Sequence, residues 1–257
     1  MDTDDFTRAL GPLAPRYRVT WYDVTDSTNT RALEALADGT ARDGDVFVAG
    51  RQTAGRGTDG HVWVSDEPLG LWTSIVFTEP LRARPLSLLP AVALAIVLRR
   101  DHGVAAHLKW PNDVLVGAGE DTRKIAGILV ESHRSPTAFG WVVGVGVNLN
   151  HDHFEPPLDA IATSLRMQTG TAVSVAAFSA SLLSEIDAVT RSSRDLTAMW
   201  TELSRMPGRT VRVRREGRDV FARVDGIDTS GHLLLTHEDG GRETVVGAAG
   251  IEVGAQY

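Results

Sequence analysis

Between residues 107 and 150 the chain passes through four apolar runs, HLKW, NDVLV, KIAGILVES and FGWVVGVGVNLN, separated only by turn residues. Runs this short and this rich in β-branched residues read as strands. Their apolar character is continuous rather than alternating, so both faces must be covered. That predicts a central sheet packed between helices. The flanking segments supply the rest of the sheet and its cover. Residues Tyr17 to Val24, DVFVAG and GLWTSIVF read as further strands. DSTNTRALEALADG predicts a helix that starts at the capping residues Asp26, Ser27 and Thr28, buries Leu33 and Leu36, and stops at Gly39. Residues Ser87 to Arg100, Ser174 to Arg191 and Leu196 to Arg205 predict three more helices, the second turning Leu182, Leu183 and Ile186 inward.

Met206-Pro207-Gly208 breaks this pattern. After it, TVRVRR, DVFARVDGI, HLLLTH and ETVVG are short alternating strands with turns between them, the signature of a small all-β barrel. The expected division is therefore 1–207 and 208–257.

Composition excludes several classes of function. The 257 residues contain no cysteine, which removes disulfides, thiolate metal sites and cysteine nucleophiles. A net charge of −7 exerts no general attraction on nucleic acid or an anionic membrane, so an anion site has to be built locally. The acidic start MDTDDFTRAL lacks the layout of a signal peptide, and the apolar run near Leu86 to Leu98 is too short to span a bilayer. A soluble cytoplasmic protein is expected. Of the 26 basic residues only Lys109 and Lys124 are lysine. A chain drifting toward arginine keeps lysine mainly where a compact ammonium is required.

Five segments could carry chemistry. Asp26-Ser27-Thr28-Asn29 is either a plain helix cap or a set of hydroxyl and amide groups able to read a small polar headgroup. Gln52-Thr53-Ala54-Gly55-Arg56-Gly57 is either a flexible turn or a loop whose amides converge on an anion, with Arg56 making two parallel bonds to it. Trp63 just beyond is either core or a flat surface for a purine. In Lys109-Trp110-Pro111-Asn112-Asp113, a solvated lysine beside a structural turn competes with a cation for polyphosphate, with Asn112 on a polar edge and Asp113 near a magnesium ion. Lys124 opens a strongly apolar strand in which Gly127 signals close approach by a ligand or another backbone. Finally, Gly144 and Gly146 in GVGVN fall on one strand face and leave a bare strip. Together these are the parts needed to activate a small carboxylic acid with ATP.

In their order and spacing, DSTN, QTAGRG with its following tryptophan, KWPNDVLV, KIAGILVE and GVGVNLN resemble the biotin–protein ligases, and GIDTSGHLLL resembles their C-terminal barrel. The resemblance runs from about Trp21 to the end. It implies an α+β fold of the class II synthetase-like, biotin–lipoate ligase kind: a mixed central β-sheet flanked by helices, then a small SH3-like β-barrel. It also implies two steps, formation of biotinyl-5′-AMP from biotin and ATP with Mg²⁺, then transfer of biotin to a lysine of a biotin carboxyl carrier domain. On that basis Ser27, Thr28, Asn29 and Gln52 bind the ureido head of biotin, and Gly127, Gly144 and Gly146 line its pocket. Arg56, Gly57 and Lys124 meet the carboxylate and α-phosphate, and Thr58, Trp63, Lys109, Asn112 and Asn148 face the nucleotide. Lys124, Arg56 and Lys109 are the catalytic group, and Asp113 is the candidate magnesium ligand.

Some relatives carry an N-terminal DNA-binding unit, for which the twenty residues before Trp21 leave no room. A monomer or weak homodimer with neither nucleic-acid nor membrane partners is the expectation. Where the family has further arginines this chain has Thr58 and His61, and Asp59 adds a negative charge. Each exposed exchange weakens an anion site by about 0.3–1 kcal/mol. Lipoate ligases and octanoyltransferases of the related fold, or a non-catalytic biotin sensor, are the competing readings.

Overall fold

The structure is a computed structural model that describes residues 1–78, 85–135, 138–215, 218–247 and 252–255. Its larger sheet contains β1 (Arg18–Thr25), β2 (Asp45–Gln52), β3 (Gly70–Phe77), β4 (His107–Lys109), β5 (Asp113–Val116), β6 (Arg123–Arg134) and β7 (Phe139–Asn148). The strand order is β1-β2-β3-β7-β6-β5-β4. Only β1 and β2 run parallel, and every other neighbouring pair is antiparallel, so the sheet is mixed as expected.

Both faces are covered. On one, α3 (Leu88–His102) packs on α5 (Val175–Arg191) and α6 (Leu196–Leu203), and α1 (Thr3–Leu10) packs on α5. Val46, Val48, Ile75, Val143, Val145 and Val147 project into the core beneath these helices. On the other face, α2 (Thr28–Ala37) buries Ala32 and Leu36 against Phe47, Val76 and Val142. Alternation along β7 thus sends Val143, Val145 and Val147 to the large core and leaves Val142, Gly144 and Gly146 facing α2. A short helix, α4 (Leu165–Thr169), lies between β7 and α5. Helix α1 went unread in the sequence. Asp2 and Asp5 cap it reciprocally, and Phe6 and Leu10 bury its inner face.

The second sheet contains β8 (Thr210–Arg215), β9 (Arg218–Ile227), β10 (Leu233–His237), β11 (Arg242–Val245) and β12 (Glu252–Ala255), in the order β11-β10-β9-β8-β12. Val211, Val213, Val224, Leu233 and Leu235 join the same apolar core as the large sheet. Trp110 fastens the two sheets together, its indole N–H donating to the Gly231 carbonyl at 2.9 Å. No helix among the described residues is long and apolar enough to cross a membrane.

Candidate active site

The site is built on the α2 face of the large sheet, and strand register decides which side chains meet there. Across β3, β7, β6, β5 and β4, one row of paired residues reads Trp72, Gly146, Gly127, Asp113 and Lys109. The next row reads Ser74, Gly144 and Leu129. The floor therefore loses its side chains at the three glycines and regains them at both ends. Four strand spacings separate Trp72 from Lys109, about 19 Å. Above this floor lies a cavity of about 880 Å³, and every site residue named from the sequence lines it.

At the β2–β3 end, polar groups hold one another in place. The Thr28 N–H donates to Gln52 Oε1 at 2.8 Å, and the Gln52 amide donates to Ser65 Oγ at 3.0 Å. Ser74 Oγ lies 2.7 Å from Thr28 Oγ1 and donates to Asn29 Oδ1 at 2.5 Å. Asn29 Nδ2 donates to Glu131 Oε2 at 2.8 Å. Ser27 stands at the N-cap of α2 but makes no side-chain bond to the helix, so its hydroxyl is left for the cavity. The reading of this segment as a plain cap is thereby corrected. Neither Ser74 nor Ser65 was picked from the sequence, although a serine inside the apolar strand GLWTSIVF, in phase with Trp72, is a readable signal.

The glycine loop closes on itself as a small hairpin, which engages the Gly57 amide. The Gly57 N–H donates to His61 O at 2.7 Å and the Trp63 N–H to Gly55 O at 3.0 Å. Gly55 is required for space, since a Cβ there would lie 2.3 Å from the Trp63 carbonyl oxygen. At the tip His61 Nδ1 sits 2.9 Å from Thr58 O, while the Asp59 side chain lies outside the described residues. The hairpin lays Trp63 on the bare strip. A Cβ at Gly146 would fall 2.6 Å from its ring, and one at Gly127 3.0 Å from it. Trp63 meets Trp72 edge-on at 6.4 Å, and the Lys124 ammonium lies 5.2 Å above its ring. The close approach signalled by Gly127 is thus made by Trp63 and Lys124 of the chain itself.

Two of the three cations are already paired, Lys124 at the β5 end and Arg56 beside the α2 cluster. Lys124 Nζ lies 2.6 Å from Asp113 Oδ1, and Arg56 reaches Glu131 Oε2 at 2.8 Å. Lys109 makes no ion pair among the described residues. The backbone of Lys124 is pinned by Ile161 O at 2.7 Å and by the Thr163 N–H at 2.9 Å, which fixes the point from which its side chain reaches. The amide nitrogens of Asn112 and Asn148 donate to Ile128 O and Thr163 O at 2.8 and 3.1 Å, leaving their oxygens for the cavity. Beyond β7 a further wall was missed: His151 lies 6.1 Å from Trp72 and stacks on Phe154 at 4.8 Å. Burial lowers the pKa of His151 below its usual 6.5, despite the opposing charge of Glu67. Among the described residues no group of three or more His, Cys, Asp or Glu side chains is placed to hold a metal. A single carboxylate beside a cation suits an ion that arrives on substrate phosphates, the common mode for Mg²⁺.

The Biotin/lipoate A/B protein ligase family matches residues 21–148, and the Biotin protein ligase C terminal domain matches residues 208–251. A biotin–[acetyl-CoA-carboxylase] ligase of Paracoccus denitrificans is 36% identical over 82% of this chain and 91% of its own length. This chain belongs to the biotin protein ligase family. The ligase of the same name from Mycobacterium tuberculosis is 34% identical, over 88% of this chain and 85% of its own. Among solved structures, the biotin protein ligase from Aquifex aeolicus in complex with biotin and ATP superposes with a TM-score of 0.76. It covers 93% of this chain and 99% of its own at 24% identity, a likeness of fold.

Proposed function

We propose that this biotin protein ligase activates biotin with ATP and passes it to a lysine of a biotin carboxyl carrier domain. One observation carries the reading at the level of residues. A floor with glycine at 127, 144 and 146, overlaid by Trp63, runs from a hydroxyl-and-amide cluster, beside which Arg56 stands on Glu131, to Lys124 and Lys109 at the other end. That is the shape needed by an elongated acid with a neutral polar head and an anionic tail.

In the first step an oxygen of the biotin carboxylate attacks the α-phosphorus of ATP. The bond to the bridging oxygen breaks, and pyrophosphate leaves with its electron pair. Both reactants are anions, so their approach has to be offset by charge. Lys124 and Arg56 exchange Asp113 and Glu131 for the reacting oxygens, while Lys109 takes the outer phosphates. No covalent bond to the protein is required, and the acceleration comes from placement and from charge stabilisation at the transferring phosphorus. Ser27 supplies a free hydroxyl to the head of biotin, with Thr28, Asn29 and Gln52 around it. The carbonyl oxygens of Asn112 and Asn148 suit the amino group of adenine, and Trp63 suits its face. A magnesium ion would enter on the phosphates near Asp113 and supply further charge neutralisation. In the second step a carrier lysine, as the free amine, attacks the carbonyl carbon of the mixed anhydride and AMP leaves.

Residues 1–207 would carry the chemistry and 208–257 form the attached barrel, in a cytoplasmic monomer or weak homodimer. Pyrophosphate release with biotin, but not with lipoate or octanoate, followed by biotin on a purified carrier domain, is the expected result. Release with lipoate alone would refute the substrate assignment.

A further inference from the structure

Glu131 enters the reaction only as the resting partner of Arg56, yet its carboxylate joins three elements that otherwise act separately. It projects from β6, two residues beyond Leu129, opposite Val142 of β7. Its Oε2 accepts from Asn29 Nδ2 of α2 at 2.8 Å and from the Arg56 guanidinium of the hairpin loop, also at 2.8 Å. A single oxygen therefore ties the headgroup cluster to the loop arginine. Resting on the functional reading above, we propose that Glu131 is a positioning residue whose carboxylate competes with the anionic ligand for Arg56 and so sets how long the activated acid stays bound.

The charges in the cavity support competition. Arg56 is balanced by Glu131 and Lys124 by Asp113, and Lys109 alone among the three cations has no ion-pair partner among the described residues. A ligand carrying a carboxylate or an acyl phosphate must take Arg56 from a fixed negative charge before it gains anything from it. The hairpin helps little in return, since the Gly57 N–H is committed to His61 O and neither arginine nor lysine stands at positions 58 to 61. Arg56 rests beside Asn29 on Glu131 Oε2, so when it swings to the anionic ligand this oxygen retains only the Asn29 bond, and filling the anion end alters the partner of a group at the headgroup end. The two ends of the cavity are thereby linked, and by reciprocity biotin at the head should alter the hold on Arg56.

Glu131→Gln separates charge from shape, because the amide oxygen can still accept from Asn29 and Arg56. Release of preformed biotinyl-5′-AMP, and KM against kcat for pyrophosphate formation, are measured for the wild type, Glu131→Gln, Arg56→Gln and the double variant. Competition predicts release slowed at least about fivefold in Glu131→Gln, the lower end of coupling between linked sites. KM for biotin should fall with kcat changing less, and Glu131→Gln should have no further effect once Arg56 is glutamine. Unchanged or faster release in Glu131→Gln overturns the proposal, as does an effect that persists without Arg56. If Glu131→Gln melts well below the wild type, Glu131→Asp gives a second reading: a withdrawn carboxylate should also slow release, and faster release there counts against competition. A wild type that forms no pyrophosphate from biotin and ATP overturns the underlying reading and the proposal with it.

Discussion

Replacing Gly144 by alanine tests whether the α2 cluster reads the ligand. A Cβ at this position would lie 2.3 Å from Asn29 Oδ1, 3.0 Å from its Cγ and 3.1 Å from its Nδ2. Ordinary contact begins at 3.4 Å, so the amide has to move by about 1 Å. The strand cannot yield in its place, because β7 is paired on both sides, to β3 and to β6. Moving the amide strains its bonds from Ser74 and to Glu131, worth about 1 kcal/mol and about 2 kcal/mol as neutral and charged hydrogen bonds. Partial relaxation should leave a cost of about 2 kcal/mol, a fall in melting temperature of about 4–8 °C for a chain of this size. If Asn29 reads the ureido head, at least about tenfold in biotin affinity is lost as well, the equivalent of 1.4 kcal/mol. Gly146→Ala is the internal comparison, since its Cβ would press on Trp63, a loop residue whose indole nitrogen has no hydrogen-bond partner. That ring can lift, so Gly146→Ala should keep its melting temperature and change nucleotide use more than biotin binding. Calorimetric titration with biotin and thermal melts of both variants give the answer. A Gly144→Ala protein that is destabilised as expected yet binds biotin like the wild type would remove Asn29 from the headgroup site.

Three further outcomes are expected. Lys124→Met should lose pyrophosphate release with biotin by at least about two orders of magnitude, the scale for one stabilising group at a reacting centre; near-normal release would end its assignment. Burial, assisted by Arg205, lowers the pKa of His107 to about 4. The unfolded chain then binds more protons between pH 4 and 6.5, so this contribution to stability is complete above 6.5 and drains away as pH falls toward 4. At 1.36 kcal/mol for each pH unit of difference the loss approaches about 3 kcal/mol, and denaturant unfolding of His107→Leu across that window should show a correspondingly flatter profile. With Thr58 and His61 in place of cations, the wild type should label a lysine-rich bystander protein during incubation with biotin and ATP, and labelling confined to the carrier domain would refute a leaky site.

Much of this was legible in the chain because the relevant signals are local. The apolar runs become β4 to β7, GLWTSIVF becomes β3 residue for residue, and Gly103 closes α3 in the left-handed conformation at φ +68°. What local pattern could not supply was register. Gly127 pairs with Gly146, and Asp113 with Gly127, through contacts between strands that are distant in sequence, and only those pairings turn separate glycines into a continuous floor. The supporting shell was hidden for a related reason. Ser65, Ser74 and Glu131 matter through the groups they touch, and a residue type by itself does not declare its partner. Glycine shows where a backbone can bend without showing which amides it will satisfy; in this loop the Gly57 N–H is taken by the hairpin itself.

The bond from Trp110 to Gly231 O makes the small sheet part of the frame that aims Lys109. Lys109 immediately precedes Trp110, whose own N–H contacts the Met206 sulfur at 3.1 Å at the threshold of the second sheet. A C-terminal barrel grafted from a relative would thus be more than an exchangeable handle. Its β9–β10 turn would act as a set-screw on the phosphate end of the cavity, and a mismatch there should surface as poor use of ATP in a protein that still recognises biotin.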